Sequence, residues 1–306
     1  MRIAVMGTGG MGGYYGGLLA ATGQDVTFIA RGSHLQAIQD RGLRLNGPRG
    51  NIHVTPAKAT DDPVTVGPVD VVLFCVKLYA AEQAAAAIKP MLRPGTMVIS
   101  LMNGVDGPER IAGVIGPGHA LGGAAYASAK IEEPGVVSYQ SEMSKLVYGE
   151  LDGTISERAL AFKQACTGTG FDAEVSDNIE RTLWQKFVLL ATNAALTTIT
   201  RKPAAAVYSD PDLKALAIAL MQEVVAVGAA KGIILPDDTI EKSIAITSTF
   251  PPGMYASMYH DLAAGKPMEL SSFSGLIARL GRELGVPAPH HSTIYACLKP
   301  YEHGRA

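Results

Sequence analysis

Up to about residue 150, apolar residues fall into short runs rich in Val, Ile and Leu, set apart by glycines, prolines and helix-like stretches. Runs at 3–6, 26–30, 69–76, 97–100, 121–125, 135–139 and 145–148 predict strands, the last two as a hairpin-like edge. Helical spacing over 80–88, stopped by Pro90, and over 156–165 alternates with them, and a strand over 171–175 closes the series. Such alternation predicts a doubly wound, mostly parallel sheet. From Ile179 the pattern lengthens to a 3.6-residue period in stretches rich in Ala, Leu and Met, including 212–231, 271–284 and 293–298. The expected fold class is therefore α/β followed by all-α, divided into residues 1–177 and 178–306, with no repeat or low-complexity linker between them.

The first strand runs into Gly7-Thr8-Gly9-Gly10-Met11-Gly12, a helix is expected over 13–21, and the next strand follows at βαβ spacing. A G-x-G-x-x-G triplet in that setting is the dinucleotide-binding fingerprint of a Rossmann domain. The first glycine permits the tight turn, the second the approach of a pyrophosphate, and the third the close packing of helix on strand. The pyrophosphate would sit on the helix N-terminus, where unpaired N–H groups favour an anion. NAD-binding chains place an Asp or Glu at the end of the second strand, but here the order is Ala30-Arg31-Gly32-Ser33-His34. With no carboxylate there, and with the Arg31 guanidinium suited to a 2′-phosphate, NADP (NADPH) is the expected cofactor.

Charge and cysteine content narrow the partners. With 26 basic and 28 acidic residues the net charge is −2, so there is no basic excess for nucleic acid and no polybasic run for an anionic membrane. No apolar stretch is expected to be long enough to span a bilayer, and the opening residues do not read as a signal peptide, so a cytoplasmic protein is expected. Cys75, Cys166 and Cys297 form no CxxC pair, which argues against a disulfide framework, and Cys75 is expected as a small core residue within 71–76. His290-His291 stand apart from any Cys/His cluster, and no metal is expected.

Several polar residues stand where chemistry is done. Lys77 and Asn103 each follow a predicted strand, at the sheet edge where open α/β folds bind ligands, though a solvated cation and a plain Asn-Gly turn fit as well. Lys186 interrupts the apolar helix Trp184-Gln185-Lys186-Phe187-Val188, so it either snorkels outward or points into a cleft, where desolvation would tune it as a proton donor. Ser257 suits a substrate carboxylate and Glu269 a partner for Lys186 or a hydroxyl, against capping and solvated roles. The apolar helices suit either a homodimer face or an internal core.

Taken in order, Gly7-to-Gly12, Val76-Lys77, Leu101-Met102-Asn103-Gly104-Val105, Trp184-Gln185-Lys186, Ala256-Ser257-Met258 with Asp261, and Glu269 with Gly275 resemble the ketopantoate reductases (2-dehydropantoate 2-reductases) along the whole chain. The resemblance implies a helical C-terminal domain like that of 6-phosphogluconate dehydrogenase, and NADPH-dependent reduction of a small-molecule 2-keto acid to pantoate for pantothenate biosynthesis. It implies Lys186 as proton donor and Asn103 in contact with cofactor and substrate. Ser257 would bind substrate, Glu269 would sit by the cofactor and the reaction centre, and Lys77, Arg31 and Ala127 would help hold NADPH. One departure bears on substrate: Leu190 and Ala194 occupy the places of two asparagines that contact pantoate in other members, and Asn193 is about 100° around the helix from the second. A more apolar 2-keto acid is accordingly the alternative substrate, and a nucleotide-binding regulator without turnover is an alternative of another class.

Overall fold

Val71-Val72-Leu73-Phe74 and Met97-Val98-Ile99-Ser100 are buried at every position, the pattern of central parallel strands covered by helices on both faces. They lie in the first of two units, Met1–Ile179 and Glu180–Ala306, into which the chain divides. The structure is a computed structural model and describes residues 1–140, 142 and 144–305. In chain order the first unit contains β1 (Arg2–Met6), α1 (Gly10–Ala21), β2 (Asp25–Ile29), α2 (Gly32–Arg41), β3 (Leu43–Asn46), β4 (Ile52–Val54), β5 (Lys58–Thr60) and β6 (Val71–Phe74). It continues with α3 (Ala81–Ala87), β7 (Met97–Ser100), α4 (Gly107–Ile115), β8 (Ala120–Tyr126), β9 (Ala129–Glu133), β10 (Val136–Tyr139), β11 (Lys145–Glu150), α5 (Glu157–Ala165) and β12 (Asp172–Val175).

An eight-stranded sheet has the order β12-β11-β8-β7-β6-β1-β2-β5. Its neighbours are parallel except β8 and β11, which pair antiparallel. Strand order reverses at β1, which pairs β2 on one side and β6 on the other, and a doubly wound sheet binds its ligand at such a switch point. A second sheet of order β4-β3-β10-β9 lies in the same unit. The expected hairpin-like edge near 135–150 is therefore not formed: β10 joins β3 and β9 in the small sheet, while β11 joins β8 and β12 in the large one. The apolar runs there were real, but alternation alone does not choose a partner strand.

The second unit is helical: α6 (Ile179–Thr200), α7 (Ala204–Ser209), α8 (Pro211–Ala230), α9 (Thr239–Thr247), α10 (Ser257–Ala263), α11 (Ser274–Leu284) and α12 (Pro289–Leu298). Within it α6 and α8 approach closely, so that a Cβ added to Gly228 would come within 2.9 Å of the Trp184 ring. Contrary to the expectation of no stretch long enough to span a bilayer, α8 is long and apolar enough to cross one, with a mean hydropathy of 1.7. Lys214 and Glu223 interrupt the run in sequence without lowering its average far enough. Packing explains its composition: Ala217, Leu220, Met221, Val224, Val227 and Gly228 are buried at helical spacing. Glu223, also buried, accepts hydrogen bonds from the N–H groups of His290 (2.8 Å) and His291 (2.9 Å) and from His290 Nδ1 (2.7 Å). The carboxylate thereby satisfies the first turn of α12, which Pro289 opens.

Candidate functional site

In a parallel sheet the carboxyl ends of the strands lie along one edge, and the loops after β1, β2, β6, β7 and β8 all begin there. Gly7 turns the chain with φ +94°, and a Cβ on it would come within 2.9 Å of the Cys75 carbonyl oxygen. Thr8 is buried and ties the turn to β2, its N–H and hydroxyl both donating to the Ile29 carbonyl at 2.9 and 3.0 Å. Gly12 packs α1 onto β1, since a Cβ there would fall 2.3 Å from the Gly7 carbonyl oxygen. Gly10 lies equally close to β9, a Cβ falling 2.2 Å from the Ala129 carbonyl oxygen. A Cβ on Gly9, in contrast, would meet nothing within 4 Å. The space beside Gly9 is open, as a pyrophosphate approaching the start of α1 requires. The first turn of α1 holds no acidic residue to oppose an anion.

A cavity of ≈ 400 Å³ opens at this edge, lined by Gly7, Thr8 and Gly9 on one side and Ala30, Arg31 and His34 on another. Arg31 is exposed, stands at the N-cap of α2 without capping it, and shares the wall with no aspartate or glutamate. An open cradle at Gly9, a free helix start and a cation at the end of β2 suit the diphosphate and ribose end of a nicotinamide dinucleotide. Gly10, Met11 and Gly12 lie behind that surface in α1. Lys77 follows β6 and precedes a 3-10 turn over Leu78–Ala80, Asn103 follows β7 and precedes Gly104 at φ +110°, and Ala127 follows β8. These three are half-buried and do not line the cavity.

Cys75, His34 and Gln83 line the cavity without having been singled out for it. Cys75, just past the end of β6, is half-buried, packed against the hydrophobic core on one side and lining the cavity on the other; burial pushes its thiol up to about 12. His34 is buried, and its Nδ1 accepts a hydrogen bond from the Gly135 N–H at 3.0 Å, which leaves Nε2 to carry the proton of the neutral ring. Burial holds its pKa below the ordinary imidazole value. The Arg-x-x-His spacing at the start of α2 was the available signal, and it reads as an ordinary helix start.

In the second unit Lys186 sits in α6 between Trp184 and Phe187, both buried, and is itself half-buried. Burial draws its pKa from 10.5 down to about 8, where a lysine exchanges a proton near neutral pH. Phe187 meets Phe273 at 5.8 Å and 74°, setting the segment after Glu269 against α6 one residue from Lys186. Glu269 is buried rather than solvated, and begins a 3-10 turn over Leu270–Ser272. Ser257 opens α10, exposed and not acting as its cap, since Ala256 holds that place. The Ala256 N–H donates to Thr197 Oγ1 at 3.3 Å, so the start of α10 is fastened to α6. Residues 186, 190, 193 and 197 follow one another along one face of α6. On that face Leu190 is half-buried and the Asn193 amide oxygen accepts the Tyr208 hydroxyl at 2.5 Å, while Ala194, beside it, is buried. No group of three or more His, Cys, Asp or Glu side chains among the described residues is arranged to hold a metal ion.

The sequence matches two halves of one family: ketopantoate reductase PanE/ApbA over residues 3–153 and its C-terminal part over residues 178–302. It is 27% identical over 302 residues to an uncharacterized oxidoreductase, YkpB, of Bacillus subtilis, covering 99% of both chains. It is 29% identical over 321 residues to a 2-dehydropantoate 2-reductase of Mesorhizobium japonicum, covering 98% of this chain and 97% of that one. The crystal structure of a PanE/ApbA family ketopantoate reductase from Ralstonia eutropha superimposes with a TM-score of 0.91 at 33% identity, covering 99% of this chain and 98% of the other.

Proposed function

The chain belongs to the ketopantoate reductase family, an oxidoreductase family, and on that premise we propose that it reduces ketopantoate to pantoate with NADPH, serving pantothenate biosynthesis in the cytoplasm. The observation that carries the reading is Lys186, a lysine drawn down to about 8 by burial in an otherwise apolar helix. A binder without turnover needs no such group. The choice of NADPH rests on Arg31 in a cavity wall that contains no carboxylate.

The residues that would hold the dinucleotide are the Gly7-Thr8-Gly9-Gly10-Met11-Gly12 turn, Arg31, Lys77, Asn103, Ala127 and Glu269. When bound, the reduced nicotinamide supplies the hydride. Lys186 acts on the other end of the carbonyl: negative charge builds on the C2 oxygen, the ammonium stabilises it, and one N–H bond breaks as the O–H bond forms. The Ser257 hydroxyl donates to the substrate carboxylate, and the Asn103 amide orients the carbonyl. Residues 1–177 serve mainly the cofactor and 178–306 mainly the substrate, with Asn103 and Glu269 each serving both.

A second reading keeps the chemistry and changes the substrate to a more apolar 2-keto acid. Leu190 and Ala194 offer no hydrogen bonds, and Asn193, which shares a face of α6 with Lys186 and Leu190, has its amide oxygen occupied by the Tyr208 hydroxyl. Incubation with NADPH deuterated at the transferring position separates the readings. The proposal expects one deuterium at C2 of pantoate. Deuterium appearing only in products of apolar 2-keto acids favours the second reading, and none in any product refutes both.

A further inference from the structure

The second unit contains another cavity, of ≈ 340 Å³, with Arg201, Tyr259, Lys266, Tyr301 and Arg305 in its wall. Neither Lys186, Ser257 nor Glu269 lines it, and neither does any aspartate or glutamate. Among the described residues, none of its three cations forms an ion pair with a carboxylate. Three like charges around so small a volume repel one another, and among the described residues the wall holds no carboxylate to offset them.

Two of the three are held in place by the backbone. Arg201 directly follows the last residue of α6 with φ +55°, the left-handed conformation in which a helix terminates and which favours glycine. An arginine there stores strain and has a side chain that glycine would lack. Arg305 lies across Gly265, where a built Cβ would come within 3.1 Å of its Cγ and Cδ. The end of the chain is doubled back to keep it there. The Met268 N–H donates to the Glu302 carbonyl at 2.8 Å, the Ser271 N–H to the Glu302 carboxylate at 2.8 Å, and the Arg305 N–H to the Gly265 carbonyl at 3.0 Å. Tyr259 is stacked on Tyr255 with ring centroids 4.1 Å apart, which fixes the wall on the α10 side.

We propose that this cavity is a second anion site, distinct from the dinucleotide cavity, which takes a small phosphate-bearing metabolite on Arg201, Lys266 and Arg305. Guanidinium forks match phosphate oxygens in pairs, and lysine adds a point charge. The volume lies at the small end of ligand cavities, which suits a phosphate monoester or diphosphate rather than a whole dinucleotide. The inference is independent of the reaction proposed for Lys186.

The test is calorimetric titration of the full chain with inorganic pyrophosphate, at about physiological ionic strength, with NADPH in excess. Arg201→Gly removes the guanidinium and relieves the strained backbone, so its melting temperature should be no lower than that of the parent. Pyrophosphate should bind at one site per chain, at least about tenfold more weakly in Arg201→Gly and in Arg305→Ala. Binding should be unchanged in Lys202→Ala, which removes a neighbouring exposed cation outside the cavity. Absence of binding, binding as tight as the parent's in either arginine variant, or an equal loss in Lys202→Ala would each overturn the assignment.

Discussion

Replacing Lys186 by methionine keeps the length of an unbranched side chain and removes the charge, so it separates what the ammonium costs the fold from what it does in the reaction. The shift from 10.5 to about 8 comes from desolvation. At about 1.4 kcal/mol per tenfold change it amounts to about 3 kcal/mol against the charged form. This is an upper bound, because part of the side chain still meets solvent. The sign follows from proton counts. The unfolded lysine keeps its proton up to about 10.5 while the folded one releases it near 8, so between these values the unfolded state holds more protons and stability rises with pH. Lys186→Met should therefore be more stable than the parent at pH 7, by at most about 3 kcal/mol, and the gain should vanish above about pH 10.5. Turnover should move the other way. A protonated donor gives a plateau in kcat/KM below about pH 8 and a tenfold fall per pH unit above it. The variant should lose about 10²- to 10⁴-fold in rate at pH 7 with NADPH affinity unchanged. Denaturant titrations and steady-state kinetics across about pH 6 to 10 measure both. A level pH profile in the parent, or a variant that keeps more than about a tenth of the rate, would refute the assignment of Lys186 as proton donor.

Arg31→Ala should weaken NADPH binding by about 10- to 100-fold and leave NADH within about twofold, as read by fluorescence titration; equal losses would remove Arg31 from recognition of the 2′-phosphate. Glu223→Ala leaves two N–H groups at the start of α12 without their acceptor, so it should cost about 3 kcal/mol and lower the melting temperature by several degrees, whereas an unchanged midpoint would contradict its role as a buried cap. Introducing asparagine at both Leu190 and Ala194 should raise kcat/KM for ketopantoate relative to an apolar 2-keto acid by about tenfold or more, and no change in that ratio would mean that this face of α6 does not meet the substrate.

The strands around the switch point were legible because their side chains are buried on both faces, and Met97–Ser100 was located to the residue. The glycine turn was legible in detail for a similar reason. Gly7 and Gly12 are constrained by atoms of their own domain, Cys75 and Gly7 respectively, and such constraints leave a fixed spacing in the sequence. What was lost lies at the edges. Leu43-Arg44-Leu45-Asn46 and Lys58-Ala59-Thr60 alternate apolar and polar residues over too few positions to be told from loops, and Ala129–Glu133 is mostly exposed. The small sheet went unseen with them, and with it the packing of Gly10 on β9.

Among the candidate site residues, Glu269 illustrates the limit. A glutamate followed by Leu-Ser-Ser reads as solvated, and it is long-range packing, the Phe187–Phe273 contact among it, that buries the segment. His34 was hidden because its partner, Gly135, lies 101 residues away. Long-range partners of this kind leave no periodicity to read.

The central claim is tested most directly by following NADPH oxidation at 340 nm with ketopantoate beside a panel of apolar 2-keto acids, with NADH as control. The account predicts turnover with NADPH in clear preference to NADH and ketopantoate ahead of the panel in kcat/KM. NADPH oxidation with none of these substrates would contradict the account.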